Sequence, residues 1–292
     1  MGRTWRLVIL LASLLGLSLP AGLAAQTRDM RFALRHASLN ATVYGASDAS
    51  ATLIALPGSG SDNSRYQDLG ELLAAAGYRM VALNQRGIAG STGNLENLTL
   101  HDYAADVIAV MDALELPRAH LMGWALGNRI ARVVATDYPE RVISVVLLAA
   151  GGLVPPTADP GDLNRLLAEA DIPATEKFSL ARDTLFSPQT DDAKVWTFVN
   201  ELHYWNAGRA GQTAANRATP QEQWWAGGSA PLLIIQGLDD RTAPVANGRQ
   251  MREAYPERVE LVEIPGAGHL MGFEKPRETA NAILEFLARH SN

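Results

Sequence analysis

Short apolar runs rich in β-branched residues alternate along the chain with longer segments in which apolar residues recur every three to four positions. That alternation is the signature of strand–helix–strand units and a mostly parallel sheet, an α/β fold with helices flanking the strands. The pattern predicts an opening hairpin over 32–45, a buried strand over 51–56 and an amphipathic helix over 65–76 that Gly77 ends. A strand over 78–84 follows, then a helix from Thr99 or Asp102 to Leu114, a strand over 120–123, a helix over 126–138 and a strand over 142–149. The alternation then breaks and resumes with a strand over 231–236, a helix near 246–255, a strand over 259–264 and a last helix over 277–290. The break, 153–227, is about 75 residues with helical pieces, placed after the sixth strand of the pattern. It reads as a helical cap on a core built from 26–152 and 228–292. Trp196, Trp205, Trp224 and Trp225 fall inside it with His203 and Tyr204, either lining an apolar pocket from a lid or holding the small cap together.

Ahead of this pattern, Arg3 and Arg6 precede an apolar run from Leu7 to about Leu23, and Leu23-Ala24-Ala25 offers small residues for cleavage before Gln26. Residues 1–25 are therefore expected to be a signal peptide of an exported, periplasmic or secreted protein. The alternative is an uncleaved anchor, although the run is shorter than the ~20 apolar residues a membrane span prefers. The absence of cysteine excludes a lipidated start and any disulfide. Losing the segment's two arginines takes the formal charge from −6 to −8. An acidic chain without basic clusters is a poor candidate for nucleic acid or for an anionic membrane surface, so a small diffusible ligand is the expected partner. With 47% apolar and 19% charged residues, the rest suits a well-packed globule.

The chemistry concentrates at Gly123-Trp124-Ala125-Leu126-Gly127, where a predicted strand meets a predicted helix. The spacing is that of the strained strand–turn–helix pattern Gly-x-Ser-x-Gly, with alanine where the nucleophile belongs. A methyl group has no lone pair to attack with and no proton to give, so covalent acyl transfer from residue 125 is impossible. Gly58-Ser59-Gly60 also follows a strand, but Asn63 stands where a dinucleotide fingerprint needs its third glycine. The six histidines show no metal-ligand spacing, and no metal or other cofactor is expected.

Several motifs together resemble the α/β-hydrolase superfamily over nearly all of the chain after residue 25. Leu56-Pro57-Gly58-Ser59-Gly60-Ser61 is similar to its oxyanion loop, with Pro57 for the usual histidine, and Asn84-Gln85-Arg86-Gly87-Ile88-Ala89-Gly90-Ser91 is similar to its Asp-x-Arg-Gly-x-Gly-x-Ser stretch. Gly237-Leu238-Asp239-Asp240 resembles the loop that holds the acid, and Gly266-Ala267-Gly268-His269 the loop that delivers the base. The resemblance implies an α/β-hydrolase fold, His269 as proton carrier and Asp240 as the carboxylate that fixes its tautomer, with Asp239 the alternative acid. It also implies an oxyanion hole from the backbone amides of Ser59 and Leu126. Trp124, Trp196, Trp205 and Trp224 are the expected lining of the substrate pocket. Three readings follow. In one, a hydrolase-type enzyme acts on a small apolar ester, lactone or thioester without a covalent intermediate. In another, a catalytically dead relative binds an apolar ligand. In the third, a serine esterase carries a serine-to-alanine change at residue 125.

Overall fold

Runs such as Thr52–Leu56 (β3), Arg79–Leu83 (β4) and Leu232–Gly237 (β8) are buried at every position, as strands covered by helices on both faces must be. The computed structural model describes residues 27–290; the expected signal segment, 1–25, lies outside the described residues. Within these, nine strands form one sheet. The others are Thr27–Ala33 (β1), Ala37–Tyr44 (β2), Thr92–Gly93 (β5), Ala119–Trp124 (β6), Val142–Leu148 (β7) and Val259–Ile264 (β9). Spatial order is β1-β2-β4-β3-β6-β7-β8-β9, with β5 against β2. β2 pairs antiparallel with β1, β4 and β5, while β4, β3, β6, β7, β8 and β9 run parallel to one another.

Alternate strand residues face opposite sides, so the sheet carries two cores. Ile54, Val81, Leu121, Val145 and Ile234 pack under the helices Leu100–Ala113 (α2), Leu126–Asp137 (α3) and Ala246–Ala254 (α8). Leu53, Met80, Met122, Val146 and Ile235 pack under Gln67–Ala75 (α1), Met271–Glu274 (α9) and Pro276–His290 (α10). Between β7 and β8 run Pro160–Ala168 (α4), Ala174–Thr184 (α5), Asp192–Asn200 (α6) and Asn206–Ala218 (α7), with their own apolar cluster around Leu166, Phe186, Val195 and Phe198.

Three details depart from the pattern read in the sequence. The hairpin starts at Thr27 rather than at residue 32, because the first three residues of edge strand β1, Thr27, Arg28 and Asp29, are polar and exposed. Helix α1 begins at Gln67, after a 3₁₀ turn over Asn63–Tyr66. The helical insertion follows the seventh strand and not the sixth, since β5 is two exposed residues long and too short to leave a pattern.

The chain turns both ways from β3, to β4 on one side and β6 on the other, and the crevice at such a switch point collects ligands in open α/β sheets. Leu56 pairs with Gly123 in register, so the loop after β3 lies against the turn after β6.

Candidate active site

β6 delivers the chain to Ala125, which has φ 50° and ψ −111° and caps α3. Non-glycine residues rarely hold such a backbone, and here the flanking glycines make room for it. A Cβ on Gly127 would stand 1.9 Å from the carbonyl oxygen of Leu56, and one on Gly123 would stand 2.3 Å from the backbone of Gly127. The Ala125 amide donates to Leu148 O at 3.1 Å. Behind the turn, Asn128 Nδ2 donates to Leu148 O and Ala149 O, and Arg132 Nη2 donates to Asn128 Oδ1 at 2.6 Å. Burial pushes the pKa of Arg132 down to about 9.

The loops after β8 and β9 bring Asp240 and His269 together. His269 Nδ1 lies 2.9 Å from Asp240 Oδ2 and 3.1 Å from Oδ1, and both residues are about 5% exposed. Asp240 Oδ1 also accepts from the amides of Thr242 and Ala243, which aims the carboxylate. Asp239 is occupied elsewhere, accepting from Ser187 Oγ at 2.6 Å. With Nδ1 committed to an acceptor-only carboxylate, Nε2 is the nitrogen His269 has left for the cavity it lines. The histidine loop is held on three sides. Its amide donates to Leu185 O, its carbonyl accepts from Trp124 Nε1 at 2.9 Å, and the Gly268 amide donates to Glu274 Oε1. Burial pushes the Glu274 carboxyl above its ordinary range, against the hydrogen bonds it accepts from Thr190, Ser187 and Gly268.

Ser59 and Leu126, the two expected oxyanion donors, stand on the same cavity wall as Ala125 and His269. Leu126 opens α3, so its amide has no carbonyl one turn earlier in the helix to bond. The loop after β3 is pinned by a polar chain that its sequence did not announce. Gly60 N–H donates to Gln212 Oε1 at 2.8 Å, Gln212 Nε2 donates to Gln85 Oε1 at 2.8 Å, and Gln85 Nε2 donates to Pro57 O at 3.1 Å. Gln212 comes from α7, so the insertion itself fixes the loop.

The cavity in front of Ala125 measures about 490 Å³. Its walls differ from the expected aromatic lining, because none of the four tryptophans assigned to it lies on them. Trp124 turns away to brace the His269 loop and packs 2.7 Å from where a Cβ of Gly58 would stand. Trp196 stacks on Phe178, Trp205 lies beside His203, and Trp224 is buried with the guanidinium groups of Arg129 and Arg132 at 4.8 and 4.7 Å from its ring centre. The walls are instead the 151–156 segment, Thr213, Asn216, Thr242, Ala243 and two arginines, Arg129 and Arg209. Arg129 sits one turn past Ala125 on the same helix, a spacing visible in the sequence; Arg209, Gln85, Gln212 and Glu274 carry no local signal.

A family model described as alpha/beta hydrolase fold matches residues 53–276. The chain is 31% identical over 225 residues to a Mycobacterium tuberculosis protein named non-heme bromoperoxidase BpoC, covering 73% of this chain and 84% of that protein. It is 29% identical over 261 residues to a Variovorax paradoxus protein named carbamate hydrolase RutD, covering 87% and 97% respectively. Among solved structures, a hydrolase from Pseudomonas aeruginosa superposes with a TM-score of 0.70 at 25% identity, over 89% of this chain and 98% of that one.

Proposed function

The chain belongs to the alpha/beta hydrolase fold family, and on that premise we propose that it is a hydrolase-type enzyme that works without a covalent intermediate. The observation that carries this reading is the His269–Asp240 pair, hydrogen-bonded at 2.9 Å on a cavity whose neighbouring wall is Ala125. In the proposed step, water takes the place of the missing serine oxygen. His269 Nε2 removes a proton from the water as its oxygen bonds to the substrate carbonyl carbon. The carbonyl oxygen becomes an oxyanion that accepts from the Ser59 and Leu126 amides, each such donor contributing roughly 3 kcal/mol where one has been tested. Collapse of the adduct breaks the bond to the leaving oxygen or sulfur, which takes the proton back from His269. Asp240 accepts from Nδ1 throughout and stabilises the imidazolium while it exists.

Scale limits the substrate. Without its nucleophile, a serine hydrolase site retains only about 10³–10⁴ of acceleration over water, so activated carbonyls such as lactones, thioesters and aryl esters are the class proposed. The arginines on the wall argue against a wholly apolar ligand. Residues 1–25 support an exported location for this activity. The vacancy at residue 125 also favours a second reading, a binding protein in which His269 and Asp240 turn nothing over.

Labelling by a fluorophosphonate probe, read by intact mass, tests whether a nucleophile exists. The wild type is expected to stay unlabelled, while Ala125→Ser becomes labelled because its backbone already holds the turn. Labelling of the wild-type protein at Ser59, Ser61 or any other serine overturns the proposal of a nucleophile-free site.

A further inference from the structure

Arg129 on α3 and Arg209 on α7 face the cavity with no carboxylate to neutralise them. Among the described residues no Asp or Glu lines the cavity, and burial alone pushes the pKa of each guanidinium down, with no acidic neighbour in opposition. Their hydrogen bonds go to neutral amides. Arg129 Nη1 donates to Asn216 Oδ1 at 2.8 Å and Arg209 Nη1 to Asn164 Oδ1 at 2.9 Å, while Arg209 Nε is buried with no acceptor among the described residues. Buried arginines away from the cavity are held by several protein groups: Asp106 accepts from Arg86 twice, at 2.6 and 2.8 Å, and Arg132 donates to Asn128 Oδ1, Asn128 O and Gly151 O. A desolvated cation without a counter-ion is costly, and the Trp224 ring 4.8 Å from Arg129 offsets only part of that cost.

The placement of Arg209 is built in. Helix α7 packs against the core at Gly208, where a Cβ would stand 2.6 Å from Gly87 O, and the Arg209 stem lies across Gly60, where a Cβ would stand 2.8 Å from Arg209 Cδ. Its charge therefore sits over the loop that carries the Ser59 amide.

We propose that the cavity takes a substrate bearing a carboxylate, which Arg129 and Arg209 hold beside the carbonyl group that His269 addresses. The inference rests on reading this cavity as the substrate site, and it names the substrate class. A carboxylate matches a guanidinium fork in shape and supplies the negative charge that the residues lining the cavity lack.

Isothermal titration of the purified protein at low salt with hexanoate, hexanamide and butyl phosphate tests this. Hexanoate is expected to bind at least about tenfold more tightly than hexanamide, and Arg129→Gln and Arg209→Gln are each expected to weaken hexanoate about tenfold without changing hexanamide. Circular dichroism checks folding; if Arg129→Gln does not fold, Arg209→Gln decides, with Arg129→Lys expected to keep the preference because it keeps the charge. Equal binding of hexanoate and hexanamide, absence of hexanoate binding, tighter binding of butyl phosphate, or a preference that survives the glutamine variants overturns the proposal. Titration reads no turnover, so an inert protein that prefers hexanoate sinks only the acid–base reading, and an active one without the preference sinks only this inference.

Discussion

Ala125 holds a backbone that costs of the order of 1–3 kcal/mol for a residue with a Cβ, so the surroundings impose it. Gly123 and Gly127 leave the space, and Leu148 O accepts from the amide. The turn thus stands independently of the hydroxyl that such turns present. The glycine spacing was legible in the sequence, while the buried Asn128–Arg132 pair behind it was not, since nothing local marks a polar residue as buried. His120 on β6 is a second buried polar residue, bonded to Ser144 Oγ at 2.8 Å, and burial pushes its pKa from 6.5 down to about 4. The unfolded chain therefore takes up a proton below pH 6.5 that the folded chain refuses. This contribution is neutral above pH 6.5 and removes stability as pH falls toward 4, by about 2 kcal/mol at pH 5. Urea denaturation at pH 7 and pH 5 checks it: His120→Gln is expected to lose less stability between the two than the wild type, and equal losses would contradict the assignment.

Helix α7 couples the insertion to the loop after β3. It sits close through Gly208 and Gly211, lends Gln212 to the loop after β3 and carries Arg209. Its buried residues are Gly208, Gly211, Gln212 and Ala215, a small and polar stripe, which is why the 153–227 segment showed helical pieces without a register. Helices α2, α3 and α10, with broad apolar faces, were legible to within a residue or two. Adding a methyl group at residue 208 drives it into Gly87 O, so Gly208→Ala is expected to cost about 1–3 kcal/mol in urea denaturation. Unchanged stability would show that α7 does not pack this closely.

Over the whole molecule, chain order and loop spacing showed which segments meet at the crevice, because the alternation of strands and helices determines where strand ends gather. They did not show what lines the cavity. The tryptophans were expected there for their size and position in the insertion, yet they pack into the core, the insertion or the His269 loop. A net charge of −6 hid a cavity whose charged walls are two arginines. The central claim, that an imidazole and its carboxylate act on a carbonyl without a covalent attacker, is tested most directly by initial rates on an aryl thioester and a lactone, with the wild type beside His269→Asn. The account predicts wild-type turnover about 10³-fold or more above buffer, falling at least about 100-fold in the variant. Wild-type rates no faster than buffer, or equal rates in the two proteins, would contradict it.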